Sequence, residues 1–199
     1  VGGDGATHQM LEDMSLMRGL PNMRVFVPAD GPQTQDIIRL IADSEGPCYV
    51  RLPRGDTPLL PDVYPTELGK AITIREGSDV TLIGAGTMVY ETLRAADQLV
   101  ADGLDPRVLL IHTIKPIDTQ AILAAARETN GIVTAEEHSV YGGLGSAVCE
   151  VVAENQPCPV RRIGVRDTFG ESGDERDLME KYGLTWHHIA DAARDVMKG

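Results

Sequence analysis

Short apolar runs alternate with segments of helical periodicity along most of the chain, and this alternation constrains the fold more than any other feature. Apolar runs of about five residues are typical of buried strands, and apolar residues three and four apart are typical of helices that cover a sheet. Strands that alternate with helices are joined by crossovers. The sequence therefore predicts an α/β fold with a mostly parallel sheet flanked by helices.

The first part of the chain holds two predicted strands, at residues 24–28 and 48–52. A helix that begins at Pro32 separates them, and apolar residues at helical spacing predict another helix over residues 10–18. Two strands are fewer than a stable open sheet normally has. We therefore interpret residues 1–54 as the C-terminal part of a domain that begins before this chain.

Residues 55–65 contain three prolines and little periodicity, so we interpret them as a linker. Residues 66–199 are then predicted to form a complete second domain. Its predicted strands are residues 80–84, 107–112, 131–135 and 160–165, and its predicted helices are residues 88–101, 119–127, 144–153, 175–181 and 189–197.

Charge and composition exclude some functions. The formal net charge of −12 argues against nucleic acid or an anionic membrane as the main partner. We expect no signal peptide and no transit peptide, and no apolar stretch comes near the ~18 residues that span a bilayer. Three cysteines, Cys48, Cys149 and Cys158, lack metal-ligand spacing. We expect free thiols, no metal ligands in this chain and a cytoplasmic location.

The run from Asp4 to His8 (Asp-Gly-Ala-Thr-His) is the first candidate site. Glycines let a backbone approach a ligand closely, a histidine can hydrogen-bond hydroxyls or phosphates, and an aspartate can accept from a sugar hydroxyl. In the alternative interpretation Thr7 is the N-cap of a helix and Asp4 lies beside its positive end. The spacing alone leaves both interpretations open.

Arg51 and Arg54 flank a Leu-Pro pair at the end of a predicted strand. Ligands of open α/β sheets bind beyond the carboxyl ends of the strands, and two guanidinium groups there can hold a phosphate. Alternatively, both are surface arginines that pair with Asp30 or Asp56.

Three further motifs have structural explanations. The Gly-Ala-Gly-Thr run that begins at Gly84 predicts a tight turn, because the third glycine of a dinucleotide-binding fingerprint is absent. Glu136 and Glu137 follow an apolar strand and can be a general acid/base pair, but no nucleophile lies nearby. We favour a structural or subunit-contact role for them. His187 and His188 are expected to begin a solvated helix.

Taken together, several motifs resemble the thiamine-diphosphate-dependent transketolases over essentially the whole chain. Residues 3–9 resemble the last seven residues of the segment G-E-D-G-P-T-H-Q, with Gly3 in place of Glu and Ala6 in place of Pro. The other similar segments are residues 20–23 (LPNM), 27–30 (VPAD), 51–55 (RLPRG), 115–118 (KPID), 136–138 (EEH), 142–145 (GGLG), 167–173 (DTFGESG) and 181–185 (KYGLT). The last two resemble the ending of split transketolases, whose two halves are separate chains.

The resemblance implies that residues 1–54 are the last part of a pyrimidine-binding domain and residues 66–199 a C-terminal domain. It implies thiamine diphosphate and Mg²⁺ as cofactors of the complete enzyme. The activating glutamate, the metal and diphosphate ligands and the aromatic residues that stack on the cofactor would lie outside this chain. No cofactor-binding residue is therefore assigned within it.

For the site, the resemblance implies that Asp4 contacts a sugar hydroxyl and that His8 hydrogen-bonds the donor ketose and the covalent intermediate, as a catalytic residue. Arg54 would hold the sugar phosphate, with Arg51 as the alternative. The implied reaction is transfer of a two-carbon ketol unit between sugar phosphates in the pentose phosphate pathway.

The implied partners are an N-terminal diphosphate-binding portion or subunit and further copies of the chain. Homo-oligomers, such as dimers, would form through the C-terminal and pyrimidine-binding domains, and this chain alone would be inactive. The related alternatives are 1-deoxyxylulose-5-phosphate synthase and, more distantly, the beta component of 2-oxo-acid dehydrogenases. A third alternative is a non-catalytic oligomerisation fragment.

Overall fold

The computed structural model describes residues 3–62 and 64–198. The helices of this part are α1 (Asp13–Gly19), α2 (Gly31–Ala42), α3 (Met88–Ala101), α4 (Thr119–Glu128), α5 (Leu144–Asn155), α6 (Glu175–Lys181) and α7 (Trp186–Val196). The strands are β1 (Arg24–Phe26), β2 (Cys48–Val50), β3 (Ile72–Arg75), β4 (Val80–Gly84), β5 (Pro106–Leu110), β6 (Thr113–Lys115), β7 (Ile132–Ser139) and β8 (Val160–Val165). None of the described helices is long and apolar enough to cross a membrane.

The larger sheet has the order β3-β5-β4-β7-β8, in which β5, β4, β7 and β8 are mutually parallel and β3 is an antiparallel edge. Every residue of β4 is buried, as expected of a parallel strand covered on both faces. Leu82 faces the core that α3 and α7 share, whereas its neighbour Ile83 faces α4 and α5. The predicted α/β fold with a mostly parallel sheet flanked by helices is confirmed.

The smaller sheet joins the two parts of the chain. Its order is β2-β1-β6, with β1 parallel to β2 and antiparallel to β6, which comes from beyond the predicted linker. Met14 of α1 and Val25 of β1 belong to the same apolar core as Ile83 of the larger sheet. The first part of the chain therefore packs on the second, and the second part contributes the strand β6 to the sheet of the first.

Two strands and several element boundaries differ from the sequence predictions. Helix α7 begins three residues earlier than predicted, and β7 continues to Ser139, so Glu136 and Glu137 lie within this strand and do not follow it. β3 is a partly exposed edge, and β6 is only three residues long and precedes a proline, so neither has a clear strand pattern. Helix α1 begins at Asp13, with Glu12 as its N-cap, so the interpretation of Thr7 as a helix cap is wrong. Residues 4–9 form a tight turn instead, in which the N–H groups of His8 and Gln9 both donate to the Gly5 carbonyl at 3.0 Å.

Candidate active site

A cavity of about 370 Å³ lies at the carboxyl end of β2, next to the turn of residues 4–9. Its lining combines residues 4, 8–11 and 13, residues 49–54 and Glu137, which lies near the carboxyl end of β7. The four predicted site residues all line this cavity: Asp4, His8, Arg51 and Arg54. Tertiary structure thus brings together two segments that are far apart in the sequence, at the edge of the sheet where open α/β folds bind ligands.

The turn that carries Asp4 and His8 is held by a segment from the other end of the chain, residues 170–173. Asp4 and Ser172 form an antiparallel bridge, and the Gln9 side-chain amide donates to the Glu171 carbonyl at 3.1 Å. Gly5 has a φ of 88°, and a Cβ there would lie 2.5 Å from the Ser172 hydroxyl. Glycine is therefore required at this position by both the backbone and the close approach.

Asp4 and Arg54 form an ion pair at the cavity, and the Arg54 side chain is 68% exposed. His8 is exposed, with Nδ1 3.0 Å from the Thr7 hydroxyl. An exposed arginine next to a cavity keeps most of its N–H donors free for an incoming anion. This corner of the cavity therefore presents a cation, an imidazole and a carboxylate to a ligand.

Arg51 lies in a different environment, because it is held from below by Asp13. Its Nε lies 3.0 Å and 3.2 Å from the two Asp13 carboxylate oxygens, and its Nη2 donates to the Met10 carbonyl at 3.3 Å. Asp13 is buried and also accepts from the Tyr49 hydroxyl at 2.7 Å. Burial and this hydrogen bond raise the pKa of Tyr49 to about 12. Arg51 is thus an anchor of the cavity wall.

Arg51 and Arg54 do not pair with Asp30 or Asp56, the partners that the alternative interpretation predicted. Asp30 is the N-cap of α2, where it accepts from the Gln33 N–H at 2.9 Å, and it also accepts from the Leu60 N–H. Asp4 and Asp13 take the arginines instead, because the packing of residues 4–13 on β2 places these aspartates beside them.

Buried polar groups of β7 lie beneath the cavity wall. His138 is fully buried, its Nδ1 donates to the Ser139 carbonyl at 2.7 Å, and its Nε2 faces Asp13 at 3.8 Å. Burial lowers the pKa of His138. Glu136 accepts from the N–H groups of Leu144 and Gly145 at 2.7 and 2.8 Å, at the N-terminus of α5. Burial raises the pKa of Glu136 to about 7, although these N–H groups favour the carboxylate.

Glu136 therefore anchors α5, whereas Glu137 lines the cavity and accepts from the Thr87 hydroxyl at 2.9 Å. The glycine run at Gly84 forms the expected tight turn: Met88 N–H donates to the Ala85 carbonyl at 3.2 Å. Gly86 has a φ of 57°, and a Cβ there would lie 2.9 Å from Val27. This turn thus lets the second part of the chain pack closely on the first.

No group of three side chains placed to hold a metal ion lies among the described residues that line the cavity. Within residues 3–62 and 64–198, the one group of three side chains placed to hold a metal ion is Glu180, His187 and His188, and none of these lines the cavity. The Tyr49 hydroxyl donates its hydrogen bond to Asp13. The lining suits a small, hydroxylated anion instead, since carboxylate, imidazole and guanidinium groups converge there.

Comparisons with known proteins identify the family. Residues 1–58 match the family described as "Transketolase, pyrimidine binding domain", and residues 69–189 match "Transketolase, C-terminal domain". The chain therefore belongs to the transketolase family, whose members depend on thiamine diphosphate.

Individual relatives agree with this assignment. The chain is 46% identical over 195 residues to the 6-deoxy-6-sulfo-D-fructose transketolase subunit SqwH of Clostridium sp. (strain MSTE9), covering 97% of this chain and 60% of that protein. It is 39% identical over 200 residues to the 1-deoxy-D-xylulose-5-phosphate synthase of Heliobacterium modesticaldum, covering 98% of this chain and 31% of that protein. A solved structure titled "Split gene transketolase, inactive beta4 tetramer" is 47% identical, with a TM-score of 0.90 over 97% of this chain and 63% of that one. The chain thus spans less than two thirds of these relatives.

Proposed function

We propose that this chain is the C-terminal part of a transketolase that transfers a two-carbon ketol unit between sugar phosphates. The observation that carries the proposal is that Asp4, His8 and Arg54 line one cavity in a chain of this family. Residues 1–54 act as the end of the pyrimidine-binding domain, residues 55–65 as a linker and residues 66–199 as the C-terminal domain.

Each of these side chains has a distinct task in the proposal. The His8 imidazole hydrogen-bonds the oxygen atoms of the ketose that change during the reaction. Asp4 accepts from a neighbouring sugar hydroxyl, and Arg54 pairs with the phosphate. Because Asp4 and Arg54 form an ion pair in the free chain, a sugar phosphate that bridges them satisfies both groups with its hydroxyl and its phosphate. Arg51 keeps the wall in place through Asp13.

In this proposal, the residues that bind the cofactor lie mostly outside this chain. Thiamine diphosphate with Mg²⁺ supplies the carbanion chemistry of the complete enzyme, and this chain orients and polarises the sugar. We propose that an N-terminal diphosphate-binding portion or subunit brings the ligands of both cofactors. Further copies of the chain join through the pyrimidine-binding and C-terminal domains. We place the assembly in the cytoplasm and in pentose phosphate metabolism.

Reconstitution tests the proposal. The chain is mixed with the N-terminal subunit of the same organism, thiamine diphosphate and Mg²⁺, and transfer from xylulose 5-phosphate to ribose 5-phosphate is followed. We expect transfer by the complex and none by either component alone. A complex that binds the cofactor but transfers no two-carbon unit would refute the assignment.

A second enzymatic candidate is 1-deoxyxylulose-5-phosphate synthase, which the Heliobacterium relative favours. The same reconstituted complex distinguishes the two, because the synthase consumes pyruvate and does not cleave a ketose. The third candidate is a non-catalytic oligomerisation fragment. Isothermal titration of the chain alone with thiamine diphosphate and Mg²⁺ is expected to show no binding, and tight binding would contradict the proposed location of the cofactor ligands.

A further inference from the structure

A cluster of polar side chains lies at the turn between α6 and α7, apart from the cavity lining. Glu180 comes from the end of α6, and His187 and His188 come from the first turn of α7. One ligand atom from each of the three side chains lies within 4.8 Å of the others. His187 Nε2 and Glu180 Oε1 are 3.0 Å apart, and the two imidazole rings have centroids 4.3 Å apart.

The backbone beneath this cluster is fixed by packing. Thr185, the N-cap of α7, is fully buried, and its hydroxyl lies 3.1 Å from Glu180 Oε2 and 2.8 Å from His188 Nδ1. Leu184 is buried as well, and its N–H donates to the Met179 carbonyl at 2.7 Å. The inner face of α7 packs in the main core through Ile189, Ala190, Ala193 and Val196. The three side chains are therefore carried by a backbone that packing and hydrogen bonds hold in place.

We propose that Glu180, His187 and His188 bind one borderline divalent cation, such as Zn²⁺ or Ni²⁺. Two imidazoles and one carboxylate form the donor set that these ions prefer. In a tetrahedral site with bonds of about 2.1 Å, ligand atoms lie about 3.4 Å apart, a separation close to that of His187 and Glu180. The helix dipole places a partial positive charge at the N-terminus of α7, which disfavours a bound cation. The full negative charge of Glu180 outweighs this partial charge.

The surface position determines what kind of site this is. The side chains of His187 and Glu180 are 40% and 55% exposed, so an ion can enter from solvent and keep water in its remaining coordination positions. In the chain without metal, His187 Nε2–H donates to Glu180, and metal binding replaces this proton. A bound ion would tie the end of α6 to the start of α7. The site is independent of the proposed reaction, since none of its residues lines the cavity.

Metal titration of the chain tests this proposal. Tag-free, chelator-stripped chain is titrated calorimetrically with ZnCl₂ and NiCl₂, and Co²⁺ is added separately to record its absorption spectrum. We expect one ion per chain and a Co²⁺ spectrum of nitrogen and oxygen ligation. His187→Ala and Glu180→Gln should each weaken binding by at least about tenfold, because each removes a direct ligand.

Two variants are matched controls. Glu175→Gln removes another exposed carboxylate of α6, and His8→Ala removes an exposed imidazole elsewhere, so both should bind metal like the wild type. Circular dichroism and thermal unfolding of every variant confirm that it is folded. The proposal is overturned by any of three results: no binding by the wild-type chain, unchanged affinity in folded His187→Ala and Glu180→Gln, or a thiolate-to-cobalt charge-transfer band. The last result would assign the ion to the free cysteines Cys48, Cys149 and Cys158.

Discussion

The anchoring of Arg51 by Asp13 leads to the sharpest prediction. Asp13→Asn keeps the shape of the side chain and an acceptor for the Tyr49 hydroxyl, but it leaves the Arg51 charge without its counter-ion. Breaking a buried ion pair from one side costs about 3–5 kcal/mol. The Arg51 side chain is 18% exposed, so some water reaches it, and we expect about 3 kcal/mol, the lower end of that range.

Urea unfolding of the chain measures this cost. With a slope of about 2 kcal/mol per M, the loss lowers the urea midpoint by about 1.5 M. Asp36→Asn is the matched control, because Asp36 pairs with Arg39 at 3.4 Å on the surface, and it should cost less than about 1 kcal/mol. Adding Arg51→Met to Asp13→Asn removes the unpaired charge. The double variant should therefore lose about 2 kcal/mol less free energy of unfolding than the sum of the two single losses. If Asp13→Asn costs no more than Asp36→Asn, or if the two effects simply add, the anchoring argument is wrong.

Three other predictions follow from the site. Gly5→Ala should destabilise the chain by more than Gly46→Ala and should speed hydrogen exchange of residues 4–9. Both glycines have positive φ, but of the two only Gly5 lies against another side chain, that of Ser172. Equal effects of the two substitutions would contradict a role for residues 170–173 in holding the turn. Burial raises the pKa of Glu136 from 4.5 to about 7. Between pH 4.5 and pH 7 the Glu136 carboxyl is therefore protonated more in the folded state than in the unfolded state, so the free energy of unfolding falls as the pH rises through this range. The stability difference between the wild type and Glu136→Gln, measured by urea unfolding, should therefore shift against the wild type from about pH 5 to about pH 8, and a constant difference would contradict the raised pKa. In the reconstituted enzyme, Arg54→Met should raise KM about 10- to 100-fold for a phosphorylated donor and leave KM for a donor without phosphate unchanged, because a hydrogen bond to a charged group contributes about 1.5–3 kcal/mol. Equal increases for both donors would contradict a phosphate contact of Arg54, and an unchanged KM for both would favour Arg51 as the phosphate ligand.

Most regular elements were predictable from local pattern. β4 is an apolar run that ends in glycine, and α3 has apolar residues at helical spacing, so periodicity alone located both. α6 occupies residues 175–181, as predicted. β6 was not predictable, because its three residues form a strand only through pairing with β1, which lies about 90 residues earlier in the chain.

The site was predictable only in part. The motif matches indicated Asp4, His8, Arg51 and Arg54, and all four line one cavity, but their roles stay predictions. No sequence pattern indicated Asp13 as a partner of Arg51. Its contact with Arg51 spans 38 positions and depends on how α1 packs against β1, the strand next to β2.

The sequence by itself determined the family, the α/β architecture and the residue types of the proposed sugar-phosphate site, because motifs and periodicity are local properties of the chain. Only the tertiary structure decided which residues meet. It separated the two arginines into an exposed one paired with Asp4 and an anchored one held by Asp13. It also placed residues 170–173 against the turn of residues 4–9. The physical reason is that burial and charge pairing arise from segments distant in sequence, and packing alone brings these segments together.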